Sequence, residues 1–175
     1  ILARILNIND RRCLFSHGMG QVPYYLQKIK DGDVNPRPKI SVVSEAPGAL
    51  VMDGDGGLGY FPCYEGTQRI IEKAKVGGVA VLTTRNHQHV GSAGNYTRMA
   101  VAQDCIGISA SSHRTYFKPD SMIYNVVDSS PMSIGIPAGE QPPLVMDMGG
   151  VIIRFEEELF ERLPTTFFKA MALTS

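Results

Sequence analysis

Between residues 54 and 59 the chain reads Gly54-Asp55-Gly56-Gly57-Leu58-Gly59, four glycines in six positions. Glycine loses more conformational freedom on ordering than any other residue, so this stretch cannot be the interior of a helix or a strand. It specifies a turn, with several positions expected at positive φ. The elements on either side must therefore be separate. Residues 49–53 read as a strand. Residues 64–75 read as an amphipathic helix, with Ile70, Ile71 and Ala74 on one side and Arg69, Glu72 and Lys73 on the other.

The same six residues match G-x-G-x-x-G, in the strand–turn–helix setting of a dinucleotide fingerprint. Charge argues against that reading. Asp53 and Asp55 would stand beside a pyrophosphate that a helix N-terminus should attract. The next strand ends in Thr83-Thr84-Arg85, with no acid to hold a ribose, although Arg85 would suit a 2′-phosphate. A structural turn is the expectation, and a Rossmann-type nucleotide binder remains an alternative.

The remaining pattern is irregular. A short apolar helix over 1–8 leads through a polar turn at 9–12 to Ser16-His17-Gly18. A second helix is expected over 22–30, with Tyr25, Leu26 and Ile29 on one face. Asp31-Gly32-Asp33 stops it, and Asn35-Pro36-Arg37-Pro38 enforces an extended linker. Strands are expected at 40–44 and 49–53. Residues 79–83 form a short apolar strand of the kind buried on both faces. A helix over 95–103, a strand over 105–110 and short strands as far as 148 follow. Two short helices, 155–163 and 165–173, are broken at Pro164. Helices and strands in this irregular order place the chain in the α+β or α/β class.

Lys plus Arg and Asp plus Glu balance at 17 each in 175 residues, so no whole-molecule field draws the chain to nucleic acid or anionic lipid. No apolar run approaches the ~20 residues of a membrane span. Residues 1–8 lack the features of a signal peptide. Cys13, Cys63 and Cys105 are odd in number and widely spaced, which fits a reducing compartment, and the expected location is the cytoplasm.

The histidines carry most of the chemical information. His17 follows a serine and precedes a glycine in a connection between helices. His89 lies in a polar loop directly after a strand, where side chains reach clefts. One such histidine alone is more often structural, but two in similar settings point to function. His87 and His89 would share a face of an extended segment, yet no carboxylate with ligand spacing accompanies them and HExxH is absent, so no metal site is assigned. Neither GxSxG nor a Walker A motif occurs, which removes support for hydrolase and phosphate-loop chemistry. Redox chemistry with a bound cofactor needs only an imidazole, whose unperturbed pKa of ~6.5 suits proton exchange with an alcohol.

Several segments in order resemble the type-2 malate/L-lactate dehydrogenase family, which also contains ureidoglycolate dehydrogenase and a diketogulonate reductase. They are Ser16-His17-Gly18 with Tyr25, Asp33-Val34-Asn35-Pro36, the 53–59 turn, Arg85-Asn86 with His89-Val90-Gly91-Ser92-Ala93-Gly94-Asn95-Tyr96, Ile106-Gly107-Ile108-Ser109, and Pro137-Ala138-Gly139 leading to Val145-Met146-Asp147-Met148. The resemblance implies an α+β fold that is not Rossmann, with a mixed, largely antiparallel sheet and flanking helices. It divides the chain into a helical segment (1–38), a partial cofactor-binding sheet domain (39–150) and a helical tail (151–175).

It also implies a homodimer that interconverts 2-hydroxyacids and 2-oxoacids with NAD or NADP. His17 and His89 would be catalytic, Gln21 and Tyr25 substrate-binding, and His113, Asp147, Met148 and Gly149 cofactor-binding. Three features depart from the family pattern. Gln21 stands where the family has an arginine, without its charge and fork geometry. His113 stands where a serine is usual, and Asp128-Ser129-Ser130-Pro131 replaces Gly-Thr-Asn-Pro. The family's chains are considerably longer, so a partial chain is expected. These departures also motivate an alternative, a catalytically degenerate relative serving as a binding or interaction module.

Overall fold

A computed structural model describes residues 1–111, 128–129, 131–149 and 151–152. The 155–163 and 165–173 helices expected from the sequence, and His113, lie outside these residues.

Helix α1 (Leu2–Arg11) is followed by two 3-10 turns, Phe15–His17 and Met19–Gln21, and by α2 (Val22–Lys30). Helix α1 runs three residues past its expected end. Of the residues 9–12 that read as a turn, 9–11 are helical, and Asn9 and Asp10 reach forward. Asn9 Nδ2 donates to the carbonyl of His17 at 2.9 Å, and Asp10 accepts from the amide of Met19 at 2.9 Å. The two polar side chains thus bind the 3-10 turns onto the helix. Helix α2 has the expected bounds, with Pro23 in its first turn, where a missing N–H costs nothing. Its inner face is Val22, Tyr25 and Ile29; Leu26 is 52% exposed, contrary to expectation.

Strands β1 (Ser41–Ala46) and β2 (Ala49–Asp53) form an antiparallel hairpin, and β3 (Val81–Arg85) pairs parallel with β2. The crossover from β2 to β3 is α3 (Tyr60–Gly77), four residues longer at its start than the sequence pattern indicated. The apolar run in β3 suggested burial on both faces. It is instead the edge of the three-stranded sheet, and Val81 is 59% exposed.

Helix α4 (Gly94–Val101) packs on a second, fully antiparallel sheet of β4 (Gly107–Ala110), β6 (Met132–Ile136) and β7 (Leu144–Met148), in the order β4-β6-β7. Between helix and sheet, the Thr97 and Ser133 hydroxyls meet at 2.8 Å and Ser133 donates to the Met146 carbonyl, so these buried hydroxyls are satisfied. Strands β5 (Asp128–Ser129) and β8 (Val151–Ile152) pair antiparallel. The fold is α+β with mixed, largely antiparallel strand pairing, as expected.

The glycine turn is structural. Positive φ occurs only at Asp55 (49°) and Gly56 (69°). Gly54, Gly57 and Gly59 are needed for close approach: a Cβ would fall 2.6 Å from His87 Cβ, 2.5 Å from Pro38 Cγ and 2.5 Å from Val90 Cγ1 respectively. The amides of Gly54, Gly56, Gly57 and Gly59 donate to the carbonyls of Arg85, Asn86, Gly54 and the Gln88–His89 pair. A phosphate cradle needs such amides free. Asp53 accepts from the Asp55 amide, Asn86 and Arg85, in that order of effect, which holds its carboxyl below the usual range. The Rossmann alternative loses its support here. What the turn does is hold the 85–89 loop, and so His89, against the start of α3.

A core cluster of Ile5, Leu6, Tyr25, Val34, Leu58 and Tyr60 joins α1, α2, the glycine turn and α3 directly beneath that loop.

Candidate active site

The 3-10 turn presents His17 on one side of a cleft, and the loop after β3 presents His89 on the other. Their ring centroids are 5.8 Å apart with planes tilted by 35°. The same two rings border two cavities. One, of about 350 Å³, is lined by Ser16, Gln21, Tyr24, Tyr25, Lys28 and Gln88 among others. The second, of about 170 Å³, is bounded by Val90–Ala93, Ser111, Pro131 and Asp147–Gly149. The histidine pair is thus shared by both chambers.

Each ring is held by a hydroxyl. Ser16 Oγ lies 2.9 Å from His17 Nδ1, and Gln21 Nε2 donates to the Ser16 carbonyl at 2.7 Å, fixing that turn. Tyr25 Oη lies 2.7 Å from His89 Nδ1 and 2.9 Å from Tyr60 Oη. Burial pushes the Tyr25 phenol up. Tyr60 is 0% exposed, and burial followed by the bond to Tyr25 raises it further. Both phenols therefore stay protonated through the neutral range. A hydroxyl can donate to one neighbour while accepting from another, and it can turn over. The Tyr60–Tyr25–His89 chain thus supports either protonation state of the imidazole: Tyr25 donates to neutral Nδ1, or accepts from Nδ1–H.

The second chamber has apolar walls from Leu14, Val90, Ala93 and Met148, and a polar end where the Ser92 hydroxyl donates to the Asp147 carboxylate. Such a lining would suit a flat heteroaromatic ring bearing a carboxamide: the walls would take the ring faces and the carboxylate would accept from the amide N–H. The chamber is smaller than the ~300 Å³ at which sites for drug-sized ligands begin, so it has room for one ring of a larger ligand and not for the whole.

His17, His89, Gln21 and Tyr25 are brought together in the first chamber, and Asp147, Met148 and Gly149 lie on the wall of the second. His87 is turned away: Nδ1 lies 2.9 Å from the Gln88 carbonyl and Nε2 lies 2.8 Å from Thr84 Oγ1. Sequence reasoning passed over Tyr60, Ser16, Ser92 and Lys28. Lys28 had a legible signal, because Gln21, Tyr25 and Lys28 recur at helical steps of four and three. Tyr60 had none, since it stood between the presumed turn (54–59) and the expected start of the helix at 64. A separate groove between β3 and β4 is lined mainly by apolar side chains, with Cys63 at its wall pushed up by burial, and it offers no comparable acid–base pair.

The family model described as malate/L-lactate dehydrogenase matches residues 1–155. L-sulfolactate dehydrogenase of Methanocaldococcus jannaschii is 36% identical over 139 residues, covering 79% of this chain and 40% of that protein. Malate dehydrogenase of Pyrococcus horikoshii is 34% identical over 153 residues, covering 87% and 42%. The solved structure of the P. horikoshii malate dehydrogenase superposes with a TM-score of 0.76 at 32% identity, covering 91% of this chain and 45% of that one. The chain spans about 40% of the length of the curated relatives it matches.

Proposed function

The chain belongs to the malate/L-lactate dehydrogenase family, and from that premise we propose that it carries the acid–base half of a nicotinamide-dependent oxidoreductase interconverting a 2-hydroxyacid and its 2-oxoacid. The observation that carries this reading is the His17–His89 pair, which borders both chambers at once. A substrate in the larger chamber places its hydroxyl against the imidazoles and its C–H toward the smaller one. NAD or NADP, when bound, accepts or supplies the hydride. In oxidation the hydroxyl proton passes to one imidazole as the C–H electron pair leaves, and in reduction the imidazolium returns that proton to the forming alkoxide. Tyr25 orients His89 and balances its charge change by reversing its hydrogen bond. Ser16 orients His17. Asp147, Met148 and Gly149 border the nicotinamide end, and His113 is proposed as a further cofactor contact. Gln21 offers a substrate carboxylate a neutral hydrogen bond.

The supporting experiment follows absorbance of the reduced cofactor when the full-length protein is given NADH or NADPH with oxaloacetate, pyruvate or 3-sulfopyruvate. Turnover is expected, and its absence with every pair overturns the reading.

A second reading is favoured by one observation. Val76, Val79, Val81, Ile106 and Ile108 are exposed at α3, β3 and β4, an apolar strip suited to association. It supports a homodimer of an active enzyme, or an interaction module without turnover. Tight nicotinamide binding by calorimetry favours the first, and its absence with persistent self-association favours the second. Among the described residues no helix is long and apolar enough to cross a membrane.

A further inference from the structure

Among the described residues that line the chamber holding His17, His89 and Tyr25, Lys28 is the only lysine or arginine. It shares a face of α2 with Tyr25, and Gln21, the residue just before the helix, continues that face. Helical side chains lean toward the helix N-terminus, and Lys28 does so: its ammonium lies 5.9 Å from the centre of the Tyr24 ring, one turn back. Asp33 holds it there at 2.8 Å. Asp33 is itself fixed, since its amide donates to the Lys28 carbonyl at 3.0 Å and its own carbonyl accepts from Gln88 Nε2 at 3.1 Å. The Lys28 side chain is 38% exposed, so its charge remains hydrated. An ammonium has three donors, and Asp33 occupies one of them.

The chamber is therefore polarised. Its reacting end lies at His17 and His89, with Gln21 tied to the same turn through Ser16. Lys28 stands two turns further along the chain, on the order of 10 Å by helical rise, and its side chain leans back from there toward Tyr24.

We propose that Lys28 receives the anionic group at the end of the substrate remote from the reacting carbon, so that the site prefers dianionic 2-oxoacids and 2-hydroxyacids, a C4 dicarboxylate or its sulfonate counterpart, over monoanions such as pyruvate and lactate. This rests on the dehydrogenase reading and deepens it from substrate class to substrate charge. An adjacent cation gains more from a second full negative charge than from a methyl group. Water at the Lys28 end limits that gain to a modest selectivity.

The test compares kcat/KM for oxaloacetate, 3-sulfopyruvate and pyruvate in the full-length protein, its Lys28→Gln variant and its Lys28→Arg variant. The expected result is that both dianions are preferred over pyruvate. Lys28→Gln lowers the oxaloacetate-to-pyruvate ratio about tenfold, which is about 1.4 kcal/mol; the fall is carried by KM, and Lys28→Arg retains most of the preference. A ratio within twofold of the parent's in Lys28→Gln overturns the proposal. If the parent turns over none of the three, the dehydrogenase reading fails on its own account, and calorimetric titration with oxaloacetate then decides the role of Lys28. Binding about tenfold weaker in Lys28→Gln supports the proposal, and equal binding overturns it.

Discussion

The Tyr25 hydroxyl lies 2.7 Å from Nδ1 of His89, joining helix α2 to the loop after β3 at the point where the two chambers meet. Tyr25 is buried and also meets Tyr60, so one phenol serves both the core and the imidazole. Replacing Tyr25 by Phe leaves the Tyr60 hydroxyl and His89 Nδ1 without that partner. A loss of about 1–3 kcal/mol of unfolding free energy is expected, read from urea midpoints. Turnover of the full-length protein should fall in the same variant because His89 loses the hydroxyl that orients it, whereas Tyr60→Phe should change stability more than turnover.

Gly91 has φ of 76°, and a Cβ there would lie 2.5 Å from the Tyr60 ring. Gly91→Ala therefore combines backbone strain with a clash against a buried aromatic next to His89. The expected cost is on the order of 1–3 kcal/mol, seen as a lower thermal midpoint. Gly139, also at positive φ (59°), has open space around its missing Cβ. Ala there should cost only the strain, about 1 kcal/mol, a difference that a paired melting experiment reads directly.

Asp53 has its carboxyl lowered chiefly by the Asp55 amide, then by Asn86 and Arg85. A depressed folded pKa gives stability that is present above the unfolded value of ~3.9 and is lost as pH falls through the folded value. The parent should thus lose stability below about pH 4 more steeply than Asp53→Asn. Urea unfolding at pH 6, 4 and 3 checks this, and parallel curves for the two proteins would count against the role given to the carboxylate.

The sequence made some of this legible because local chemistry and final structure agree. Pro23 near the start of α2 and Asp31-Gly32-Asp33 after it mark that helix at both ends, and its observed bounds match. The glycine turn was recognisable as a turn, but its reason was not. Three of its glycines answer to His87, Pro38 and Val90, residues distant in sequence, and only Gly56 answers to φ. Residues 9–12 read as a break because Asn9 and Asp10 are polar, and their partners, His17 and Met19, become visible only in three dimensions. Similarly, the apolar residues of β3 carry no information on whether a further strand lies beyond them. Tyr60 was passed over because its role depends on Tyr25, with which it shares no motif.

The central claim is that His17 and His89 act on one bound substrate oxygen, and a double-mutant cycle tests it most directly. In the full-length protein, His17→Asn and His89→Asn should each lower kcat/KM for oxaloacetate reduction by about 10²–10⁴. The double variant should lose far less than the product of the two, because residues that act as a unit are not additive. Either variant retaining the parent rate, or losses that multiply in full, would contradict the account.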